Sequence, residues 1–376
     1  MRDGSLRYLY DIWHRTITNL FTSTSVITST MKGILLDKVG GDFHLVDTLE
    51  KPTPGKKQIL VKSLVTAINP VEPFMQGTGL LVTAWPIVLG CDASGTVVEV
   101  GEGVTKFKKG DAVFGCTVLG TPGHSTFQEF FLMDEDLTFK KPDGLTTEQA
   151  ATIGVGVLTA ALGLIVGTKV QLKAQESNAN SPWIIVLGAA GGVGQFAVQL
   201  AKICGYRVLG SCSPSNNKVV QAAGAEATLD YKLPLSEQLD SIREITGGNF
   251  SRVFDASAMG TETALGAVLQ VADKSASVRY FSTTNDWDKI EPKEGLAVNQ
   301  VALGDIGRTD TERAIQANKD ISSLIPVLET YVEAGYLKPL DYVQVGDVGV
   351  GEILKALEAF KNHKSGKKLV VRVAEN

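Results

Sequence analysis

A chain of 376 residues, 44% hydrophobic and 20% charged, is long enough for two domains and has the make-up of a soluble globular protein. Its formal net charge of −5 gives no electrostatic footprint for nucleic acid. The four cysteines, Cys91, Cys116, Cys204 and Cys212, are too few and scattered for a disulfide framework and form no C-x-x-C pair. A reducing, cytoplasmic compartment is therefore expected.

Residues 1–30 differ from the rest. Arg2, Arg7 and Arg15 with a Ser/Thr-rich end leave a mitochondrial address open, while Asp3 and Asp11 count against it. The plainest expectation is an appended extension, with the first good strand opening at Met31. From Lys32 to about Leu132, short apolar runs alternate with Pro-, Gly- and Lys-rich turns: Gly33–Leu36, Ile59–Val65, Thr96–Val100 and Ala112–Phe114. That is the punctuation of a β-rich domain. Around Asp143–Gln149 a loop leads into a helix, with Thr146 as its N-cap. Residues Ala150–Thr168 carry no charge, but glycines and threonines interrupt the run, so a buried helix is expected rather than a membrane span.

Next comes WIIVLGAAGGVGQFAVQLAKIC, residues 183–204. A β-branched run, a glycine turn and a 3.6-period apolar face read as strand, loop and helix, closed by Gly205. This arrangement presents backbone N–H groups and a helix N-terminus to a pyrophosphate. The loop comprises Gly188, Ala189, Ala190, Gly191, Gly192, Val193 and Gly194. It reads A-x-G-x-x-G, with Ala189 in the place of the usual first glycine.

Thereafter strands and helices alternate. Strands are expected at Arg207–Gly210, Ala227–Leu229, Val253–Ala256 and Ser277–Ser282, and helices at Asn217–Ala223, Ser236–Ile245 and Glu262–Val271. Such alternation means a parallel sheet with helices on both faces. The segment Thr284–Gly307 reads as polar and irregular; a helix at Val350–Asn362 and a strand at Lys368–Val373 end the chain.

With these pieces placed, the chain resembles the medium-chain dehydrogenase/reductase superfamily, in its zinc-independent quinone-oxidoreductase and enoyl-reductase branch. The matching residues include Ala67-Ile68-Asn69-Pro70, Leu89–Val97, Gly110–Gly115, Thr159-Ala160, the 188–194 loop, Gly224-Ala225, Asp230-Tyr231 and Gly366-Lys367-Lys368. It resembles in particular the fungal trans-acting enoyl reductases of polyketide and toxin pathways. The resemblance implies an α/β fold in two parts. A GroES-like β-rich catalytic domain is formed by residues 31–155 and 310–376. A Rossmann domain with a doubly wound parallel sheet, at 156–309, binds NADPH, and the active site lies in the cleft.

The cofactor expectation rests on the residues just after the second strand of the parallel sheet. NAD-specific sites usually carry an acid there for the ribose hydroxyls. Here the residues are Gly210-Ser211-Cys212-Ser213-Pro214-Ser215-Asn216-Asn217-Lys218, with no acid to repel a 2′-phosphate. NADPH is expected, with Ser213, Lys218 and Tyr231 as candidate contacts; Tyr231 follows the resemblance, and Lys218 reads equally as a solvated helix residue.

Zinc-dependent relatives use a cysteine, the histidine of a Gly-His-Glu motif and a second Cys or Asp. This chain has Asn69 and Gly90-Cys91-Asp92 at the matching places, and its histidines (His14, His44, His124, His363) lack ligand spacing. No catalytic metal is expected. The resemblance places Asn69 near the substrate carbonyl and Thr159 beside the nicotinamide. Both also have plainer readings, as a turn asparagine before Pro70 and as a helix threonine. Relatives often read Asn-Pro-x-Asp-Trp-Lys where this chain reads Asn69-Pro70-Val71-Glu72-Pro73-Phe74, so their lysine is absent and no proton donor is legible. Phe74, Met75 and Trp85 read either as an apolar pocket lining or as core.

The expected function is NADPH-dependent, metal-free hydride transfer to an activated C=C bond, in an enoyl thioester or enone, or to a quinone. The alternative is a cofactor-binding protein of the same fold without turnover. Expected partners are a small-molecule substrate or carrier-bound acyl chain, with neither nucleic acid nor membrane; monomer and homodimer both stay open.

Overall fold

The computed structural model describes residues 30–362 and 366–375, so the N-terminal extension lies almost wholly outside the described residues. Two sheets organise the chain. The first follows the order Tyr342–Gln344, Lys368–Arg372, Gln58–Ile68, Asp92–Val100, Ala112–Cys116, Thr138–Lys140, with Phe130–Asp134 also pairing with Gln58–Ile68. Every pairing in it is antiparallel except the first. A small three-stranded sheet, His44–Glu50, Thr30–Leu36 and Ile87–Val88, flanks it.

The C-terminal strand Lys368–Arg372 thus returns to the sheet built by the first third of the chain. Its register sets Leu369 opposite Ile68 and Arg372 opposite Val65. On the other side of the same central strand, Ala67 pairs with Asp92. Three strand ends therefore converge at Lys368, Asn69 and Asp92, residues far apart in sequence.

The second sheet is parallel throughout, in the order Ala227–Asp230, Arg207–Cys212, Trp183–Leu187, Phe250–Asp255, Arg279–Thr283, Leu296–Gln300. Numbered along the chain this is 3-2-1-4-5-6, the doubly wound order whose switch point lies at the carboxyl end of the first strand. That strand, Trp183–Leu187, is buried at every residue, as a central strand covered on both faces must be. The helix Gly192–Ile203 follows it, burying Phe196, Ala197, Leu200 and Ala201.

Most expected elements stand within a few residues of their expected bounds, and Thr146 caps its helix through a reciprocal capping box with Gln149. Three departures are instructive. The polar segment 284–307 is not irregular throughout: Leu296–Gln300 is the sixth parallel strand, half-buried at every position because it lies on an edge. It pairs in parallel with Arg279–Thr283 along that strand's whole length. The 22-residue helix Glu312–Glu333 was not expected; Thr311 caps it, and Pro326 lies inside it. The uncharged run 150–168 divides into Thr147–Ala151, Gly154–Ala161 and a π-helical turn Leu162–Gly167. Among the described residues, no helix is long and apolar enough to cross a membrane.

Candidate active site

The glycine loop leaves the carboxyl end of Trp183–Leu187 and turns at Gly188, whose φ of +70° favours glycine. The left-handed residue is thus Gly188 and not the next position, where the sequence has Ala189. The Ala189 methyl is accommodated because Gly210 has none: a β-carbon at Gly210 would come within 2.8 Å of it. Gly194 packs still more tightly, since a β-carbon there would meet the Gly188 carbonyl oxygen at 2.2 Å. Loop and strand end are fixed by Ala189 N–H donating to the Ser211 carbonyl at 2.8 Å and Gly188 N–H to Ser211 Oγ at 3.0 Å. The helix then begins at Gly191 with no side-chain cap, so its first N–H groups are left for an anion.

Ala190, Gly191, Gly192 and Val193 form one wall of a cleft of about 360 Å3. The same cleft is lined by Ile68, Asn69, Pro70, Thr152, Val155, Gly156 and the C-terminal run Gly366–Leu369. Gln195 ties the loop to that run, its Nε2 donating to the carbonyls of Ala190 and Gly366, each at 2.9 Å. No motif in the sequence singles out Gln195 for this part.

Asn69 lies in this cleft, in a buried polar network. Its backbone N–H donates to Glu72 Oε2 at 2.6 Å. Its Nδ2 donates to Asp92 Oδ2 at 3.1 Å and to Cys91 Sγ at 3.4 Å, while its Oδ1 accepts from Lys368 Nζ. Chemistry fixes this orientation: a flipped amide would set oxygen against carboxylate and NH2 against ammonium. Both amide protons are thus engaged with the protein, rather than turned to the cleft as the carbonyl-binding role requires. Asp92 Oδ1 accepts from Val155 N–H at 2.6 Å, and Oδ2 from Lys368 Nζ at 3.2 Å. Burial pushes the Glu72 carboxyl up to about 7, although Lys368 and the Asn69 N–H pull it down.

Thr159 sits on Gly154–Ala161, the helix that supplies Val155 and Gly156 to the cleft, and one helical turn along the same face. It is 3% exposed, and its hydroxyl has no hydrogen-bond partner among the described residues. A buried orphan hydroxyl marks a place where a partner belongs.

Ser213 and Tyr231 directly follow neighbouring parallel strands, with Cys212 opposite Asp230, so they stand side by side at the carboxyl end of the sheet. Ser213 Oγ shares hydrogen bonds with Ser215 Oγ at 3.0 Å and Asn216 Nδ2 at 3.1 Å. Tyr231 is 54% exposed, and Lys218 is exposed on the helix Asn217–Ala222. The segment Ser213–Lys218 itself carries no acid, and Asp230 stands opposite Cys212 on the neighbouring strand. Met75 is core, Phe74 is exposed, and Trp85 packs against the core, so the suggested apolar pocket does not form in the cleft.

Comparison with known proteins now bears on this geometry. Residues 55–143 match the alcohol dehydrogenase GroES-like domain and residues 192–317 the zinc-binding dehydrogenase domain. A dehydrogenase of Aspergillus niger is 30% identical over 85% of this chain and 92% of its own length. The chain belongs to the medium-chain dehydrogenase/reductase family. It is an oxidoreductase of a family that works with nicotinamide dinucleotides. A Penicillium protein named trans-enoyl reductase is 28% identical over 92% of this chain and 99% of its own. Among solved structures, a mycobacterial protein complexed with NADPH shares the fold at a TM-score of 0.70 and 22% identity, covering 91% of this chain and 99% of its own.

The description of the second matching domain raises the question of zinc. Cys91 Sγ, Cys116 Sγ and a carboxylate oxygen of Asp92 lie within 4.8 Å of one another. They do not fit a catalytic zinc. Asp92 already has backbone, amide and ammonium donors on its two oxygens, the last from the Lys368 cation. The Cys91 thiol is held well above its ordinary value, first by its hydrogen bond with Cys116 and then by burial. Zinc ligands must be thiolates. A nicotinamide cofactor does fit: Gly191 and Gly192 bring bare backbone to the cleft, the helix start has no side-chain cap, and Thr159, one turn from the lining residue Val155, has an unpartnered hydroxyl.

Proposed function

We propose that the protein is an NADPH-dependent, metal-free reductase that transfers hydride to an activated C=C bond, in an enoyl thioester or enone, or to a quinone. One observation carries the reading. A single cleft is lined both by the dinucleotide loop and by Asn69 and Lys368 of the polar Asn69–Asp92–Lys368 network, and the Cys91–Asp92–Cys116 cluster does not suit zinc. The matching division of labour has residues 31–155 and 310–376 as catalytic domain, 156–309 as cofactor domain, and 1–30 as an appended extension.

In this reading the 188–194 loop and the start of Gly192–Ile203 hold the pyrophosphate. Ser213 and its hydrogen-bonded partners accept the 2′-phosphate, flanked by Tyr231 and Lys218. The absence of an acid from Ser213–Lys218 favours NADPH, and the mycobacterial neighbour complexed with NADPH is in keeping with it. NADPH, when bound, supplies the hydride. The chain's own part is to hold the reacting carbons in contact, exclude water and polarise the acceptor's carbonyl. Thr159 donates its unpartnered hydroxyl toward the nicotinamide end. Asn69 organises the polar network, gripping Asp92 through Nδ2 and Lys368 through Oδ1. The relatives named enoyl reductase support a carbon–carbon double bond as the acceptor, in a small molecule or a carrier-bound acyl chain.

The test follows NADPH absorbance with a panel of enoyl thioesters, enones and quinones. Oxidation with at least one class supports the reading. NADPH binding without oxidation across the panel would sink it and favour the non-catalytic alternative.

A further inference from the structure

The cleft contains a cation whose task no sequence motif announces. Lys368 opens the last strand, and register carries it across from Asn69, 299 residues earlier in the chain. It is 9% exposed and lines the cleft beside Gly366 and Lys367. An ammonium has three N–H donors. Two are engaged, one with Asn69 Oδ1 and one with Asp92 Oδ2, and the third has no partner among the described residues. The two acceptors hold a flexible four-carbon side chain in one place, as a proton donor to substrate requires. The lysine that relatives carry in their Asn-Pro-x-Asp-Trp-Lys run has become Phe74, which is exposed and outside the cleft.

We propose that Lys368 is the general acid of the reduction, a catalytic residue supplied from the opposite end of the chain; this rests on the reductase reading above. The substrate receives hydride at the carbon β to its carbonyl as the C4–H bond of NADPH breaks. The C=C π pair moves onto the carbonyl as an enolate. An Nζ–H bond of Lys368 then breaks and an O–H bond forms on the enolate oxygen. The enol rearranges to the saturated carbonyl, and the neutral lysine regains its proton from water entering the cleft. Asn69 and Asp92 are positioning residues in this step.

The plainer account makes Lys368 merely the counter-ion of buried Asp92. Lys368→Met alone would strand that carboxylate and can fail to fold, so two other variants decide. In Lys368→Met/Asp92→Asn the charge is removed in pairs, and Asn69 is free to turn its oxygen to the new amide. In Lys368→Arg the charge and donors stay, but a guanidinium does not release its proton. Each is measured for melting temperature, NADPH affinity by fluorescence titration, and kcat with the best acceptor of the wild-type panel. We expect both to bind NADPH within about threefold of wild type. The double variant should lose about 10²–10⁴-fold in kcat, the gain ordinarily supplied by a positioned acid, and the arginine variant at least tenfold. Wild-type kcat in either folded, NADPH-binding variant overturns the role of Lys368 and leaves the reductase reading standing. A wild-type protein that oxidises no NADPH with any acceptor overturns both.

Discussion

Asp92 Oδ1 accepts a 2.6 Å hydrogen bond from the backbone N–H of Val155, 63 residues further along the chain. The bond joins the antiparallel sheet to the helix that leads toward the parallel one, and it requires Gly154 to have no side chain. A β-carbon at 154 would stand 2.1 Å from Asp92 Oδ1 and 2.8 Å from the Gly115 carbonyl oxygen. Gly154→Ala is therefore expected to cost about 1–3 kcal/mol through forced repacking, more if the Asp92–Val155 bond is lost. Urea unfolding measures it, and a variant as stable as the wild type would contradict the geometry.

The Glu72 carboxyl gives the cleft a pH signature. Its folded value is raised by burial to about 7 from an ordinary 4.5. The protonated form is favoured in the folded state, so its contribution is fully present below about 4.5 and lost as pH rises through 7. Above that the effect is flat. Glu72→Gln keeps a neutral side chain of the same size, so the wild-type decline in stability between pH 4.5 and 7 is expected to flatten. Its size is a few kcal/mol at most. Thermal unfolding across that range tests this, and an equally steep decline in the variant would exclude Glu72 as its source.

Thr159 offers a prediction with two opposite signs. Its hydroxyl is buried without a partner among the described residues, so Thr159→Val is expected to leave the cofactor-free protein as stable or up to about 1 kcal/mol more stable. The same change should weaken NADPH binding or lower turnover severalfold, because the proposed function gives that hydroxyl to the cofactor. Loss of stability without effect on cofactor or turnover would make Thr159 a structural residue.

Coenzyme choice is expected to lie with Ser213. The residue stands in a cluster of hydroxyls and an amide at the end of the second parallel strand. Ser213→Asp adds a charge where the 2′-phosphate is expected and a partner for ribose hydroxyls. NADPH affinity should fall at least tenfold while NADH affinity holds or rises. Equal losses for both would place the 2′-phosphate elsewhere.

Much of this architecture is local and hence legible. The 183–204 stretch declares strand, turn and helix within a few residues, because β-branching, glycine and a 3.6-residue period are all short-range signals. The elements that sequence alone does not show depend on partners distant in the chain. Leu296–Gln300 has no apolar alternation because it pairs on one side only, and Glu312–Glu333 carries a proline that normally marks an end. In the cleft, Asn69 was legible from its motif, but the direction of its amide was not. That direction is set by Asp92 and Lys368, which only the sheet register brings together. The doubled lysine at 367–368 before an apolar strand was the one available signal.

The central claim is that this cleft moves hydride from NADPH to a carbon–carbon double bond or quinone without a metal. The most direct test measures NADPH oxidation with the acceptor panel on chelator-treated protein, before and after addition of zinc, with the reduced product identified. Turnover is expected to be unchanged by chelation and by zinc, with the double bond saturated or the quinone reduced. NADPH bound but never oxidised, or activity that vanishes on chelation and returns with zinc, would contradict it.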